Sequence, residues 1–272
     1  MTIFVNPAPT DDAIELLYTD SPSANYWANV FMPAVLENRK EKIFKPRANK
    51  ILQIAIEHGS PPETVVDVGA GSGHLIQALR LSLPDAKYIA VEPGAAQLHS
   101  LTELGIDTIQ EYILDVAKRG IYNNTADLTI CCELIEHIVD TRKLLLALTS
   151  ITKPGGLIIL TGIMGGGFDI EVLGKYSNAI APPHHLTFLT KQGIEYLVRQ
   201  TGLQLVSFET PGKLDVDIVK NAITDNPDIE IDNFLRKIIL DLDDDARNSF
   251  QQFIVTNHLS SHMWVVLQAP KK

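Results

Sequence analysis

Between Thr64 and Leu75 the chain reads TVVDVGAGSGHL, with Asp67 near the end of a β-branched run and Gly69, Gly71 and Gly73 at alternate positions after it. Glycine admits backbone conformations closed to other residues, and its missing Cβ lets a ligand touch the main chain. A short strand, a glycine-rich turn and a helix therefore predict a site for a nucleotide-like ligand. The spacing is G-x-G-x-G, with His74 where a dinucleotide fingerprint has its last glycine. A carboxylate at Asp67 would repel a pyrophosphate and attract an ammonium or a sulfonium. The turn thus favours a cationic amino-acid cofactor over a diphosphate. Glu92, in AVEP at the end of the next apolar run, stands where an acid accepts hydrogen bonds from ribose hydroxyls. His137, His184 and His185 follow later apolar runs, at the strand ends where open parallel sheets bind ligands.

The elements that must position these residues alternate. TVVDV, KYIAVEP, DTIQ, ADLTICC, LIILTG and LQLVSFET read as strands, and HMWVVLQA as a final one. The first strands are separated by helical patterns such as HLIQALRLSL, with Leu75, Ile76, Leu79 and Leu83 on one face. That order predicts βαβ units, right-handed crossovers and a parallel sheet. TKQGIEYLVRQTG predicts a helix capped by Thr190 and Gly202. Residues 1–63 read as a helical N-terminal extension, with Pro46 starting or breaking a helix and Gly59 capping its end. Residues 64–210 read as the core, 211–261 as a helical insertion that caps the substrate and builds the acceptor pocket with residues 1–63, and 262–272 as the final core strand and tail. The long connection 163–188 carries glycines, prolines and two histidines, a composition expected of a functional loop.

The chain has 272 residues and a net charge of −10, which argues against a broad nucleic-acid-binding face. Cys131 and Cys132 are adjacent, so a disulfide between them is not expected, and a reducing cytoplasm fits. The sequence shows no signal-peptide pattern and no run of apolar residues long enough for a membrane span. His258 and His262 are four apart but lack the intervening Glu of a metalloprotease, so no metal is expected. Ser72 lies outside a G-x-S-x-G elbow, and the acidic run Asp241 to Asp245 lacks the glycine and final Glu of a calcium loop.

VVDVGAGSGHL, VEP, ADLTICCELIEHIVD and KPGGLIIL together resemble the class I S-adenosylmethionine-dependent methyltransferases. The resemblance covers residues 64–210. It implies an α/β, doubly wound, mainly parallel seven-stranded Rossmann-like sheet whose last strand, HMWVVLQA, is antiparallel. It implies S-adenosylmethionine as cofactor, with Asp67, Gly69, Ala70 and Gly71 at its methionine end and Glu92 and Pro93 at the ribose. Tyr112, Ile113 and Leu114 would lie near the adenine. Closer similarity is to a bacterial subgroup with E-x-x-E-H and H-H-L-x-F motifs, here Glu133, Glu136 and His137, then His184, His185, Leu186 and Phe188. That subgroup implies a small-molecule acceptor, with a sugar, a nucleotide sugar or a surface-glycan precursor first.

Methyl transfer needs aligned donor and acceptor, and a hydroxyl acceptor needs a base. His185 is the expected base and His137 its support, against the plainer reading that both only hold the loop. His137 and Glu133 are also candidate cofactor contacts. Glu133 and Glu136 either position the methionine end or cap the following helix. Arg39, Lys40, Lys42, Lys45, Arg47 and Lys50 form either a solvated helix face, the preferred reading, or a seat for a phosphorylated acceptor. Tyr26 and Trp27 are expected in core packing rather than over the cofactor. A nicotinamide-dependent oxidoreductase and a non-catalytic cofactor-binding domain are the alternatives, and a homodimer is left open.

Overall fold

A computed structural model of the chain describes residues 2–19 and 21–271, without the side chains of Ala24 and Ala28. Its centre is a seven-stranded sheet of β2 (Thr64–Val68), β3 (Lys87–Val91), β4 (Asp107–Ile109), β5 (Ala126–Cys132), β6 (Thr152–Ile163), β8 (Gln204–Glu209) and β9 (His262–Gln268). The strand order is β4-β3-β2-β5-β6-β9-β8. Strands β4 to β6 pair in parallel, and β9 lies between β6 and β8, antiparallel to both. The expected fold and the expected antiparallel strand are thus both present.

Strand side chains alternate between faces, and the sequence uses both faces for the core. Val66, Val68, Ile89, Val91, Ile158, Leu160, Val265 and Leu267 enter one buried cluster with α8 (Thr141–Ile151) and α10 (Lys191–Thr201). Val65, Tyr88, Ala90, Leu157, Ile159, Trp264 and Val266 enter the other, with α4 (Lys45–Glu57) and α5 (His74–Ser82). The two layers make the sheet doubly wound and leave its carboxyl edge for ligands. The order reverses between β2 and β5, so the crevice of the open sheet lies above Asp67.

Thr190 caps α10 through the Gly193 N–H, and Gly202 closes the helix at φ +72°. Pro46 sits in the first turn of α4. The helix ends at Glu57 with His58 as its cap, and Gly59 does not take the left-handed conformation a glycine cap would use. The N-terminal stretch also holds a strand, β1 (Ile3–Phe4), which pairs antiparallel with β7 (Thr187–Phe188) inside the long connection. Helix α1 (Asp11–Thr19) buries no residue, and Tyr26 and Trp27 are half exposed. The expected core packing of those two rings is therefore overturned, because their segment lies on the outside of the molecule. Residues 215–256 contain α11 (Asp215–Asp225), α12 (Asn233–Arg236) and α13 (Asp244–Thr256). Val219, Ile223, Ile239 and Ile254 from this stretch form a separate small core with Leu173 of α9 (Phe168–Leu173).

Candidate active site

Asp67, Glu92, Tyr112 and Glu133 follow or end β2, β3, β4 and β5, so the parallel topology gathers them at one edge. Gly69 and Gly71 take φ of +72° and +53°, which favours glycine. A Cβ at Gly71 would project into open space, whereas one at Gly73 would strike Ile106 at 2.7 Å and Leu101 at 2.8 Å. Gly71 thus faces open space, Gly69 abuts the Leu134 side chain, and Gly73 permits close packing of Leu101 and Ile106.

Glu92 is buried and accepts hydrogen bonds from Gly71 N at 2.9 Å and Gly94 N at 2.8 Å. Burial raises its pKa, against the pull of those two N–H groups. Asp67 is 2 % exposed, and burial together with the charge of Glu92 pushes it up to about 7, opposed by Arg47.

Glu133 stands at φ +53°, an uncommon conformation for a non-glycine residue. Its Oε1 accepts from Arg47 Nη2 at 2.7 Å, Thr161 Oγ1 at 2.7 Å and His262 Nε2 at 3.0 Å. Burial would raise its pKa, but His262, Arg47 and Thr161 hold it at about 2. Of the two readings for Glu133 and Glu136, the helix cap is not the one taken, since Asp140 caps α8 through the Lys143 N–H. Glu136 is 1 % exposed, its Oε2 has no hydrogen-bond partner, and burial with nearby Glu133 pushes it up to about 8. Gly162 leaves room for it, because a Cβ there would lie 2.6 Å from Oε2.

His137 and His185 come together from two loops, with ring centroids 4.9 Å apart. Nδ1 of His137 lies 2.8 Å from the His184 carbonyl, and Nδ1 of His185 lies 2.6 Å from the Ala179 carbonyl. A carbonyl only accepts, so each Nδ1 carries the proton and each Nε2 keeps its lone pair. Burial and His185 lower the His137 pKa to about 4, leaving that ring neutral at pH 7. One ligand atom from each of Glu136, His137 and His185 lies within 4.8 Å of the others, a cluster the sequence did not suggest. The sequence pair behaves otherwise: His262 binds Glu133, while buried His258 Nδ1 has no partner.

The basic run divides. Lys40 and Lys45 pair with Glu37 and Glu41 on an exposed face, as preferred. Arg47 turns inward to Glu133, and Arg39 is half-buried with Nε buried and unpartnered. The sequence reading missed Arg47, Thr161 and His262 as one network, and it missed Tyr18, whose hydroxyl lies 2.7 Å from His137 Nδ1.

A methyltransferase-domain family profile matches residues 35–208, and the chain belongs to that family. It is a class I S-adenosylmethionine-dependent methyltransferase, with S-adenosylmethionine as cofactor. A ubiquinone biosynthesis O-methyltransferase of Burkholderia thailandensis is 28% identical over 163 residues, 55% of this chain and 68% of that one. One from Xanthomonas campestris pv. campestris is 27% identical over 162 residues, covering 56% and 67%. The plantazolicin methyltransferase BpumL, solved with S-adenosylhomocysteine, aligns with TM-score 0.60 at 12% identity, covering 95% of each chain. The [4+2]-cyclase SpnF aligns with TM-score 0.52 at 12% identity, covering 84% and 81%, so the fold does not by itself fix the reaction. The cleft fits the cofactor. Gly71 faces open space, and the buried polar atoms Tyr112 Oη, Gln97 Oε1 and His74 Nδ1 have no partner within the protein. Among the described residues no helix is long and apolar enough to cross a membrane.

Proposed function

We propose that the protein methylates a hydroxyl oxygen of a small acceptor, with the proton taken by the histidine pair. The observation that carries this reading is the paired geometry of His137 and His185, each with Nδ1–H held by a loop carbonyl and Nε2 free to accept. The O-methyltransferase names of the relatives support oxygen as the target.

Asp67, Gly69, Ala70 and Gly71 would hold the methionine end of the cofactor, Glu92 and Pro93 the ribose, and Tyr112 and Ile113 the adenine side. Bound S-adenosylmethionine supplies an electrophilic methyl on a sulfonium. Glu133 stays ionised and lends its negative charge to that end of the cleft. His185 accepts the acceptor's hydroxyl proton at Nε2, and His137 packs edge-on against it. The N-terminal helices and the connection 163–188 shape the acceptor side and exclude water. Sugar and nucleotide-sugar hydroxyls remain the first acceptors to try, with phenols beside them; half-buried Arg39 suits an anionic group on either.

The test is transfer of a labelled methyl group to a panel of sugars, nucleotide sugars and phenols. His185→Ala should lower turnover at least 100-fold while leaving S-adenosylhomocysteine affinity within about two-fold, the range expected of a lost base. Wild-type turnover in that variant removes His185 from the reaction.

The cluster of Glu136, His137 and His185 favours a second reading of the proton step, in which a divalent cation on these three residues acidifies the hydroxyl. Dialysis against a chelator separates the two. Full activity in metal-free protein supports the histidine base, and loss restored by a divalent cation supports the metal.

A further inference from the structure

Three ties hold the N-terminal segment across the site. Ile3 and Phe4 pair with Phe188 and Thr187, and Val5 N donates to Leu186 O at 2.9 Å. Ser23 Oγ lies 3.3 Å from His184 Nε2. Tyr18, on α1, reaches furthest in. Its Oη lies 2.7 Å from His137 Nδ1 and donates to the His184 carbonyl at 3.3 Å. The Nδ1–H of His137 is shared between that carbonyl at 2.8 Å and Tyr18 Oη, which accepts from it, so hydroxyl, ring nitrogen and carbonyl form a closed triangle with two protons. The phenol ring stands edge-on to the imidazole, at 5.9 Å between centroids and 82°.

The triangle does two things. The His184 carbonyl decides which ring nitrogen of His137 is protonated. The Tyr18 hydroxyl braces both the nitrogen and the carbonyl, so the ring cannot swing without breaking two contacts. Burial, with the charges of Glu136 and Tyr112, raises the Tyr18 pKa, so the phenol stays a neutral donor. The hydrogen bonds and the edge-on ring contact place Tyr18 against the histidine pair. Glu15, one helical turn earlier, is likewise felt by Tyr112. Helix α1 thus meets the site through Tyr18, and it buries no residue of its own against the core.

We propose that Tyr18 is a positioning residue: its hydroxyl holds the His137 imidazole with Nε2 directed to the reaction, so the histidine pair is competent only when α1 is seated. This rests on the reading of His137 and His185 given above. Tyr18 touches neither cofactor nor acceptor in this role and acts through His137.

Tyr18→Phe tests it, because it removes one oxygen and keeps the ring that covers the site. With ¹⁵N-histidine labelling, the wild-type His137 Nδ1–H should give a proton resonance protected from solvent. In Tyr18→Phe that resonance should broaden by exchange, while the melting temperature stays close to wild type. Turnover should fall 10- to 100-fold, with KM for S-adenosylmethionine and affinity for S-adenosylhomocysteine unchanged. Wild-type turnover in Tyr18→Phe, or a His137 resonance as protected as before, overturns the proposal. His137→Ala distinguishes a failure of the underlying reading. Wild-type turnover there removes His137 from the reaction altogether, whereas a large loss there beside an unaffected Tyr18→Phe leaves His137 in place and removes only Tyr18.

Discussion

Asp67 is a buried carboxyl with a pKa pushed up to about 7 by burial and Glu92, against Arg47. A cofactor bearing an ammonium group binds best when Asp67 is ionised. A raised pKa means the free protein protonates Asp67 as pH falls through 7, so ligand binding must then expel that proton. S-adenosylhomocysteine affinity should therefore drop by up to about ten-fold per pH unit below 7 and level off above it. Glu133, held at about 2, stays ionised across that range and adds no slope. Calorimetry between pH 5.5 and 8.5 measures this, and Asp67→Asn should bind weakly with the slope removed. An affinity flat in pH would take Asp67 out of the cofactor site. The placement of Asp67 and Glu92 at one edge was legible in the sequence because each lies at the end of a β-branched or apolar run, and a parallel sheet gathers such ends; His185 reaches His137 from the long connection before β7. The network of Arg47, Glu133, Thr161 and His262 was not legible. Its members join only because α4 packs on the sheet and β9 inserts beside β6, pairing Ile163 with His262. No local spacing encodes that.

Among elements, the glycine turn makes two separable demands. Gly71 needs a left-handed conformation facing open space, and Gly73 needs room against Leu101 and Ile106. Gly73→Ala should lower stability by several kcal/mol, since it adds overpacking to backbone strain. Gly71→Ala should cost about 1–2 kcal/mol from the strained conformation alone. It should weaken S-adenosylhomocysteine binding more than Gly73→Ala does at temperatures where both are folded. Thermal melts and calorimetry on the pair check this, and equal effects on binding would collapse the distinction. The capped helix α10 was fully legible, since Thr190 and Gly202 are local signals with local causes. Strand β1 was not, because two residues carry no periodicity and their partner strand lies about two-thirds of the chain away. Tyr26 and Trp27 misled for a related reason. Aromatic type predicts burial only when the segment packs on a core, and theirs does not.

For the whole molecule, the two large cores take no buried residue from before Ala48 among the described residues. The segment before α4 is held by the β1–β7 pairing, by the hydrogen bonds of Tyr18 and Ser23, and at its end by Phe44 packed on the second core. Such a segment opens at low free energy while the sheet opens only with global unfolding. Hydrogen exchange on the intact protein should thus show residues 11–19 exchanging orders of magnitude faster than β2, β5 and β9. The late helices should fall between, because Asp215 ties them to the final strand through Ser260 and Ser261, and they share a core with Leu173. Adding S-adenosylhomocysteine should slow exchange in α1 as well as in the glycine turn, because Tyr18 ties α1 to the histidine pair of the same site. Protection of the turn without any change in α1 would mean that the segment does not close over the bound cofactor. Substrate choice would then rest with the connection 163–188 and the late helices, and acceptor screens should begin with variants there.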